Sequence, residues 1–226
     1  MYVNAGSLFK NAVQACDGSA ASPPIQARRD ALVGIVLATI STEAFINELQ
    51  NAAEAQSGAA APGWINALGY MLAEAEKSRA SIESKYQLAG FILTSQPFDR
   101  GAAPFQGFAL LIGVRNLIVH AKPQEAKVQR DEDGELLWVE PKIMCQLQAS
   151  RVLGVSESLR NAATTIGADA IVSDLLAEIS THSVAKWACK AAAGIVNGLL
   201  DAIPQGRFNS FVEIAYREDF GTLPQE

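Results

Sequence analysis

The chain has 226 residues, of which 49% are hydrophobic and 19% charged, with two histidines and a formal net charge of −6. This composition is typical of a globular protein with enough apolar side chains for a sizeable core. The acidic balance, with a pI near 5.0, argues against a strongly basic nucleic-acid binder, but one local cationic site could still act on RNA.

The cysteines and the terminal segment indicate the compartment. Cys16, Cys145 and Cys189 are far apart, odd in number and form no CxxC pair, so we expect free, buried thiols in a reducing environment. The N-terminus has no basic segment followed by an apolar one, and the longest clean apolar run, Ala31–Ile40, is short for a membrane span. We expect a cytoplasmic protein without membrane association.

Helix is predicted for most of the first hundred residues, because alanine is frequent and β-branched runs are short. A short helix over Ser7–Cys16 is followed by a break at Ser22-Pro23-Pro24. The first long helix covers Ile25–Gln56, and its apolar residues surround most of its circumference, which predicts burial on several sides. A second covers Trp64–Leu93, and its charged residues from Glu74 to Lys85 indicate a solvated face.

A third apolar helix is predicted from Phe105 to Ala121. Pro104 suits its first turn, and Lys122-Pro123 should end it. Between residues 127 and 147 the pattern changes to a small β-hairpin, with an acidic turn before Gly134.

Helix returns in the last third of the chain. It is predicted at residues 156–165, 168–179, 182–203 and 208–217. Ser180 and Thr181 can cap the third of these helices. No internal repeat or low-complexity linker divides the sequence, so we predict a single all-α domain over residues 1–226, with the hairpin as an insertion.

The third apolar helix carries the most informative motif, Arg115-Asn116-Leu117-Ile118-Val119-His120. On a helical wheel Asn116 and His120 share a stripe with Ala109 and Gly113, whose small size lets a backbone or ligand approach closely. Arg115 lies roughly 140° from His120 on an ideal helix, because five residues give about 500°. A site made by one chain is therefore incomplete, and a second copy would complement it.

These three side chains suit phosphodiester chemistry. Histidine can move protons near neutral pH, arginine binds phosphate bidentately, and asparagine can donate to phosphate or orient the imidazole. Together they could cleave RNA without a metal. A buried, unpaired Arg115 would cost several kcal/mol, so it needs an anion or an acid, and Glu43 is the leading partner. A purely structural Arg115 and His120 fits the same pattern.

The motif resembles the R-x4-6-H motif of HEPN domains, in which Asn often follows the arginine. Ser41–Leu49 looks like the first-helix segment of prokaryotic HEPN groups, and Phe105–His120 looks like their motif helix. The resemblance covers residues 28–122 well and the terminal helix around Trp187 more loosely.

The resemblance implies an up-and-down helical bundle, usually a homodimer with the two motifs facing each other. It implies a metal-independent endoribonuclease, often a toxin or defence effector, with no cofactor. The expected partners are therefore RNA and an antitoxin or another protein. His120 would be the general acid/base, Arg115 the phosphate binder, Asn116 its polar support and Glu43 the acid of the first helix. Lys122 stands where some toxin members carry a tyrosine that a partner enzyme modifies, which argues against that control.

Other candidates favour structural interpretations. His182 stands at a helix start, where a capping or surface role is favoured over catalysis. Glu43 and Glu48 lack a Glu-x-x-His companion, so no metal site is predicted. The alternative function is a non-catalytic nucleotide- or RNA-binding module, or a scaffold, in which Arg115 and His120 only bind or stabilise.

Overall fold

A computed structural model describes residues 4–120, 127–130, 136–139, 142–153 and 176–224. In chain order the helices and strands are α1 Ala5–Ala21, α2 Pro24–Gln56, α3 Gly63–Lys77, α4 Ile82–Thr94, α5 Phe105–His120, β1 Lys127–Arg130, β2 Leu136–Val139, α6 Lys142–Ala149, α7 His182–Ala202 and α8 Arg207–Gly221. Residues 176–179 are also helical. The predominantly helical class and the bundle architecture predicted from the sequence are confirmed.

Two central helices, α2 and α7, organise the bundle. α2 packs against α1, α3 and α7, and α7 contacts α1, α4, α5 and α8 as well. Buried apolar side chains from α1 through α8 form one continuous cluster. By length and composition alone α2 could cross a membrane, but 56% of its most apolar window is buried inside the bundle, as expected of a core helix.

The predicted second long helix is wrong in one respect, because two helices occupy its range. α3 ends at Lys77, Arg79 adopts a left-handed backbone conformation with φ 55°, and α4 begins at Ile82. The Ser81 hydroxyl accepts a hydrogen bond from the Ser84 backbone N–H and caps the new helix. The chain therefore turns back after α3, which brings the start of α4 beside α2.

Residues 127–147, predicted as a hairpin insertion, contain a helix as well as strands. β1 and β2 pair antiparallel, with Lys127 opposite Val139 and Arg130 opposite Leu136. Residues 131–135, where the turn is predicted, lie outside the described residues, so the complete hairpin stays a prediction. Lys142–Ala149 forms α6, which packs Met144 and Leu147 into the core.

The end of the chain matches its prediction more closely. The Thr181 hydroxyl accepts a hydrogen bond from the Val184 backbone N–H at the start of α7, which confirms the predicted cap. α8 is longer than predicted and buries Phe208, Tyr216 and Phe220. The helices predicted at 156–165 and 168–175 lie outside the described residues.

A buried carboxylate joins the two ends of the described chain on one side of α2. The Glu48 carboxylate accepts hydrogen bonds from the backbone N–H groups of Asn4 and Ala5, at 2.6 and 3.2 Å, and from the Tyr216 hydroxyl at 2.9 Å. Asn4 itself makes no side-chain cap. Glu48 therefore caps α1 from a distant part of the sequence and ties α1 and α8 to α2.

Candidate functional site

The motif helix α5 is held in the core by its first three turns. Phe105, Phe108, Leu111 and Val114 are buried, and the rings of Phe108 and Tyr86 lie 4.7 Å apart. The Tyr86 hydroxyl donates to the backbone oxygen of Thr42 at 2.9 Å, so this contact fixes α4 and α5 against α2. Burial raises the pKa of Tyr86 well above its usual value, so the phenol stays protonated and keeps donating.

The last turn of α5 leaves the core. Leu117 is its last buried residue, Val119 is 49% exposed, and Asn116 and His120 are exposed. The expectation that Arg115 is buried is wrong for this reason, since it begins the turn that emerges from the core and is only half-buried. Its charge therefore needs no internal acid to offset full desolvation.

An open pocket of about 270 Å³ lies where α2, α4 and α5 meet. Its lining residues are Thr39 and Glu43 from α2, Ser81, Ile82 and Glu83 at the start of α4, and Ile112, Arg115 and Asn116 from α5. We call it the α2/α4/α5 pocket. The structure thus brings together three of the four predicted site residues, namely Glu43, Arg115 and Asn116.

Within this pocket Arg115 is oriented by its neighbour in sequence. Its Nη1 donates a hydrogen bond to Oδ1 of Asn116 at 3.1 Å. Glu43 lines the same pocket, so the two side chains share one side of the bundle, but no ion pair joins them among the described residues. The sequence predicted that Glu43 lies in the middle of a buried helix, but its side chain is exposed.

His120 is placed apart from the pocket. It is the last residue of α5, is exposed, and is not among the pocket-lining residues. This separation agrees with the helical wheel, on which Arg115 and His120 point in different directions. Within the described residues, Arg115 and Asn116 therefore share a pocket that His120 does not line.

Ala109 and Gly113 are the small residues of the predicted stripe, and Gly113 lies beside α6 of the same chain. A Cβ added to Gly113 would lie 3.5 Å from the Cδ1 atom of Ile143 in α6, which is ordinary contact distance. Ala109 and Gly113 face a groove of about 370 Å³ between α5 and α6. This half of the stripe therefore does not require a second copy to cover it, and a homodimer stays a prediction.

The start of α4 contributes pocket residues that the sequence did not single out, because residues 64–93 suggested an unbroken helix. Ser81 is the N-cap of α4 and Glu83 belongs to its first turn, and the amide groups of a helix start carry partial positive charge. Serine at residues 78 and 81, around Arg79 and Ala80, was the available signal for a helix break.

A buried lysine holds α4 in place beside the pocket. Lys85 is 5% exposed, donates to Oδ1 of Asn47 at 3.0 Å and forms an ion pair with Glu76. It thereby joins α4 to both α2 and α3. The charged segment predicted as a solvated face thus contains one residue whose role is internal packing.

The remaining candidates have structural surroundings. His182 is half-buried between α7 and α1, where it contacts Cys16 and Ser19. Trp64 packs edge-on against Phe208 with ring centroids 5.4 Å apart. Cys16 and Cys189 are buried as expected, but Cys145 is exposed. Among the residues that the structure describes, no group of three or more His, Cys, Asp or Glu side chains could hold a metal ion.

Comparison with known proteins adds no relative: no protein-family model, no curated protein and no solved structure matches this chain.

Proposed function

We propose that this protein is a metal-independent endoribonuclease of the HEPN type, acting in the cytoplasm as a homodimer. Arg115 binds the scissile phosphate, Asn116 orients Arg115, His120 moves protons and Glu43 supports the site. The role of toxin or defence effector, with an antitoxin as partner, belongs to the same proposal and rests on the resemblance of the motif alone.

One observation carries the proposal. The Arg115 guanidinium lines an open pocket and donates to a neutral amide, and no carboxylate of the described chain lies within ion-pair distance of it. Its positive charge is therefore available to an anion from solution. A guanidinium recognises phosphate through two parallel N–H donors, and it keeps its charge at any physiological pH.

The reaction requires two proton transfers. The ribose 2′-OH attacks the adjacent phosphorus, a base takes its proton, and an acid protonates the departing 5′-oxygen. The products are a 2′,3′-cyclic phosphate and a free 5′-OH, and no metal takes part. One His120 serves one transfer at a time, so two copies of His120 across a homodimer would supply both the base and the acid.

A second candidate is a non-catalytic nucleotide- or RNA-binding module, or a scaffold. Its support is the charge balance of the α2/α4/α5 pocket, in which two carboxylates, Glu43 and Glu83, accompany the single cation Arg115. Two acids reduce the attraction of the pocket for a polyanion. They suit the donor groups of a single nucleobase better than a long phosphate backbone.

RNA cleavage in EDTA separates the two candidates. The purified protein, His120→Ala and Arg115→Ala are incubated with a mixed-sequence RNA, and product ends are identified by mass spectrometry. Arg100→Gln is the matched control, because Arg100 is exposed and lines the α5/α6 groove instead. Cleavage with cyclic phosphate ends that survives EDTA and Arg100→Gln, but not His120→Ala, supports the nuclease. RNA binding without cleavage favours the second candidate.

Mixing the parent protein with His120→Ala tests the homodimer. If the two proton transfers use one His120 from each chain, a mixed dimer lacks one of the two groups. After the two proteins are unfolded and refolded together, activity should then fall with the square of the parent fraction. An activity that falls only in proportion to the parent fraction would show that each chain acts alone and would contradict the shared site.

A further inference from the structure

The polar groups of the α2/α4/α5 pocket differ in whether the protein already uses their hydrogen bonds. The Thr39 hydroxyl donates to a backbone oxygen of its own helix, and the Ser81 hydroxyl caps α4. Within the part of the chain that the structure describes, the carboxylates of Glu43 and Glu83 have no hydrogen bond or ion pair. These two acceptors are therefore available to a ligand.

The amide of Asn116 has a fixed orientation in the same pocket. Its Oδ1 accepts a hydrogen bond from Nη1 of Arg115 at 3.1 Å. A guanidinium only donates, so this contact assigns the amide oxygen to the Arg115 side. The two N–H groups of Nδ2 then have no partner among the described residues. The pocket thus offers amide donors as well as carboxylate acceptors.

The apolar walls and the size of the pocket suit one planar group. Ile82 is half-buried, Ile112 is 9% exposed, and both line the pocket. Its volume of about 270 Å³ lies just below the range of ~300–1,000 Å³ that is typical of sites for drug-sized ligands. Enzymes that hold a single nucleobase pack apolar or aromatic side chains on its faces and bond its polar edge. One base of an RNA matches this combination.

Glu83 is better placed than Glu43 to bind the polar edge of a base. It lies in the first turn of α4 and is half-buried, whereas Glu43 is exposed. The buried Lys85 anchors this part of α4 by donating to Asn47 of α2. A partly desolvated carboxylate on an anchored helix discriminates between ligands more strongly than one in open solvent, because an unmatched partner costs it more.

The donor and acceptor patterns of the four RNA bases then select guanine. One carboxylate can accept two neighbouring donors, and only guanine presents two of them, N1–H and N2–H, beside the acceptor O6. Adenine and cytosine place a ring-nitrogen acceptor next to their amino group, and uracil places its N–H between two carbonyl oxygens. A carboxylate that faces any of these three bases meets a lone pair.

We propose that the α2/α4/α5 pocket binds a guanine base next to the scissile phosphate, and that Glu83 sets this specificity. The Glu83 carboxylate accepts from N1–H and N2–H, Nδ2 of Asn116 donates to O6, and Arg115 binds the phosphate. The guanine site rests on the proposed function, because the base belongs to the RNA that Arg115 holds. Glu83 takes no part in the proton transfers.

Calorimetric titration tests the base preference without cleavage. The probes are the 3′- and 5′-monophosphates of the four ribonucleosides, which also show on which side of the phosphate the base lies. Guanosine monophosphate should bind about 10- to 100-fold more tightly than the other three. Equal affinity for all four bases would overturn the proposal, as would a lack of guanosine monophosphate binding at millimolar concentration.

Modified ligands test the individual contacts of the base. Inosine monophosphate lacks the N2 amino group, so it should lose most of the affinity advantage. The monophosphate of 7-deazaguanosine keeps N1–H, N2–H and O6, so it should bind as guanosine monophosphate does. Loss of affinity with the deaza ligand and not with inosine would place the contacts on the opposite edge of the base and contradict the proposed site.

Glu83→Gln tests the residue itself. The substitution keeps the size of the side chain but replaces one of two carboxylate oxygens by a donor, so the preference for guanosine monophosphate should fall at least about 10-fold. Glu218→Gln is the matched control, because Glu218 is an exposed acid of α8 outside the pocket. Melting curves establish that both variants fold. A full guanosine preference in folded Glu83→Gln would overturn the assignment, and the modified ligands decide the base contacts on the parent protein in any case.

Mapping of cleavage sites distinguishes failure of the guanine site from failure of the nuclease. In a mixed-sequence RNA the parent protein should cut next to guanosine, and Glu83→Gln should cut next to the other nucleotides as well. Cleavage at equal rates beside all four nucleotides would overturn the guanine site and leave the nuclease standing. Guanosine-selective binding without cleavage of any RNA would support the guanine site and contradict the nuclease.

Discussion

Two acids on one helix, five residues apart, have opposite surroundings. Glu48 is buried and accepts hydrogen bonds from two backbone amides and from Tyr216. Glu43 lies roughly 140° around α2, is exposed, and lines the open α2/α4/α5 pocket with Arg115. The first acid is bonded entirely within the protein, while the second lies beside a cation that no carboxylate of the described chain neutralises.

This contrast distinguishes polar groups whose hydrogen bonds are all made inside the protein from polar groups that can bind a ligand. A buried carboxylate needs all its hydrogen bonds to offset desolvation, so its partners are committed and the site is rigid. Polar groups around an open pocket exchange hydrogen bonds with water and can exchange them with a ligand. Four predictions test this contrast.

The largest effect is expected on activity at the open side. His120→Ala and Arg115→Ala should each lower RNA cleavage by at least about 100-fold, because they remove a proton-transfer group and the charge that stabilises the phosphate. Thermal unfolding should change little, since both side chains lie outside the core. Initial cleavage rates and melting curves on the same preparations measure both. Equal cleavage by the parent protein and both variants would mean that neither Arg115 nor His120 takes part in catalysis.

The next largest effect is expected on stability at the closed side. Glu48→Ala should lower the free energy of unfolding by about 3 kcal/mol, because two buried backbone N–H groups and the Tyr216 hydroxyl lose their acceptor. Glu43→Ala is the matched control, and its exposed site predicts a change within about 0.5 kcal/mol. Urea denaturation at neutral pH compares them. Similar losses in both variants would contradict the contrast between the two acids.

A smaller effect depends on pH. Burial raises the pKa of Tyr216, and the charge of Glu48 raises it further. The native state therefore binds the phenol proton more tightly than the unfolded chain does. Its contribution to stability is complete below the ordinary tyrosine pKa of about 10 and is lost as the pH rises above it.

Tyr216→Phe should consequently be less stable than the parent at neutral pH, and this difference should narrow above pH of about 10. Tyr70→Phe is the control, because Tyr70 is 66% exposed. Urea midpoints measured from neutral to alkaline pH test the trend. If the difference in urea midpoint between Tyr216→Phe and the parent stayed constant over this pH range, the pKa of Tyr216 would be the same in the native and unfolded states. That result would contradict the prediction.

The smallest effect concerns two glycines, Gly113 and Gly69, that face other helices. Gly113→Ala should stabilise the chain by about 0.5 to 1 kcal/mol, because a methyl group there meets Ile143 at ordinary contact distance and alanine favours helix. Gly69→Ala should destabilise it, since a Cβ would lie 3.0 Å from the Glu54 backbone nitrogen. Sedimentation of Gly113→Ala also tests the homodimer. If the substitution weakens dimerisation relative to the parent protein, a second copy packs on this face of α5.

Much of the fold could be predicted from local patterns. Periodicity placed α2 within one residue of its observed start, and Ser180-Thr181 marked the start of α7. The motif of α5 also predicted Arg115 and Asn116 as site residues, with Glu43 of α2 as the partner of Arg115. All three line one pocket. The helices and caps depend on residues close together in sequence, whose spacing determines helix faces and helix ends.

The tertiary structure alone decided which polar groups are buried. The sequence contains both Glu43 and Glu48 inside an apolar helix, but only the arrival of α1 and α8 made Glu48 an internal acceptor. The left-handed turn at Arg79 likewise placed Ser81 and Glu83 at the pocket. Local sequence patterns predicted most of the helices and the chemical groups that they carry. Burial, pairing and exposure depended on contacts between distant segments, because desolvation is set by neighbours that local spacing does not specify.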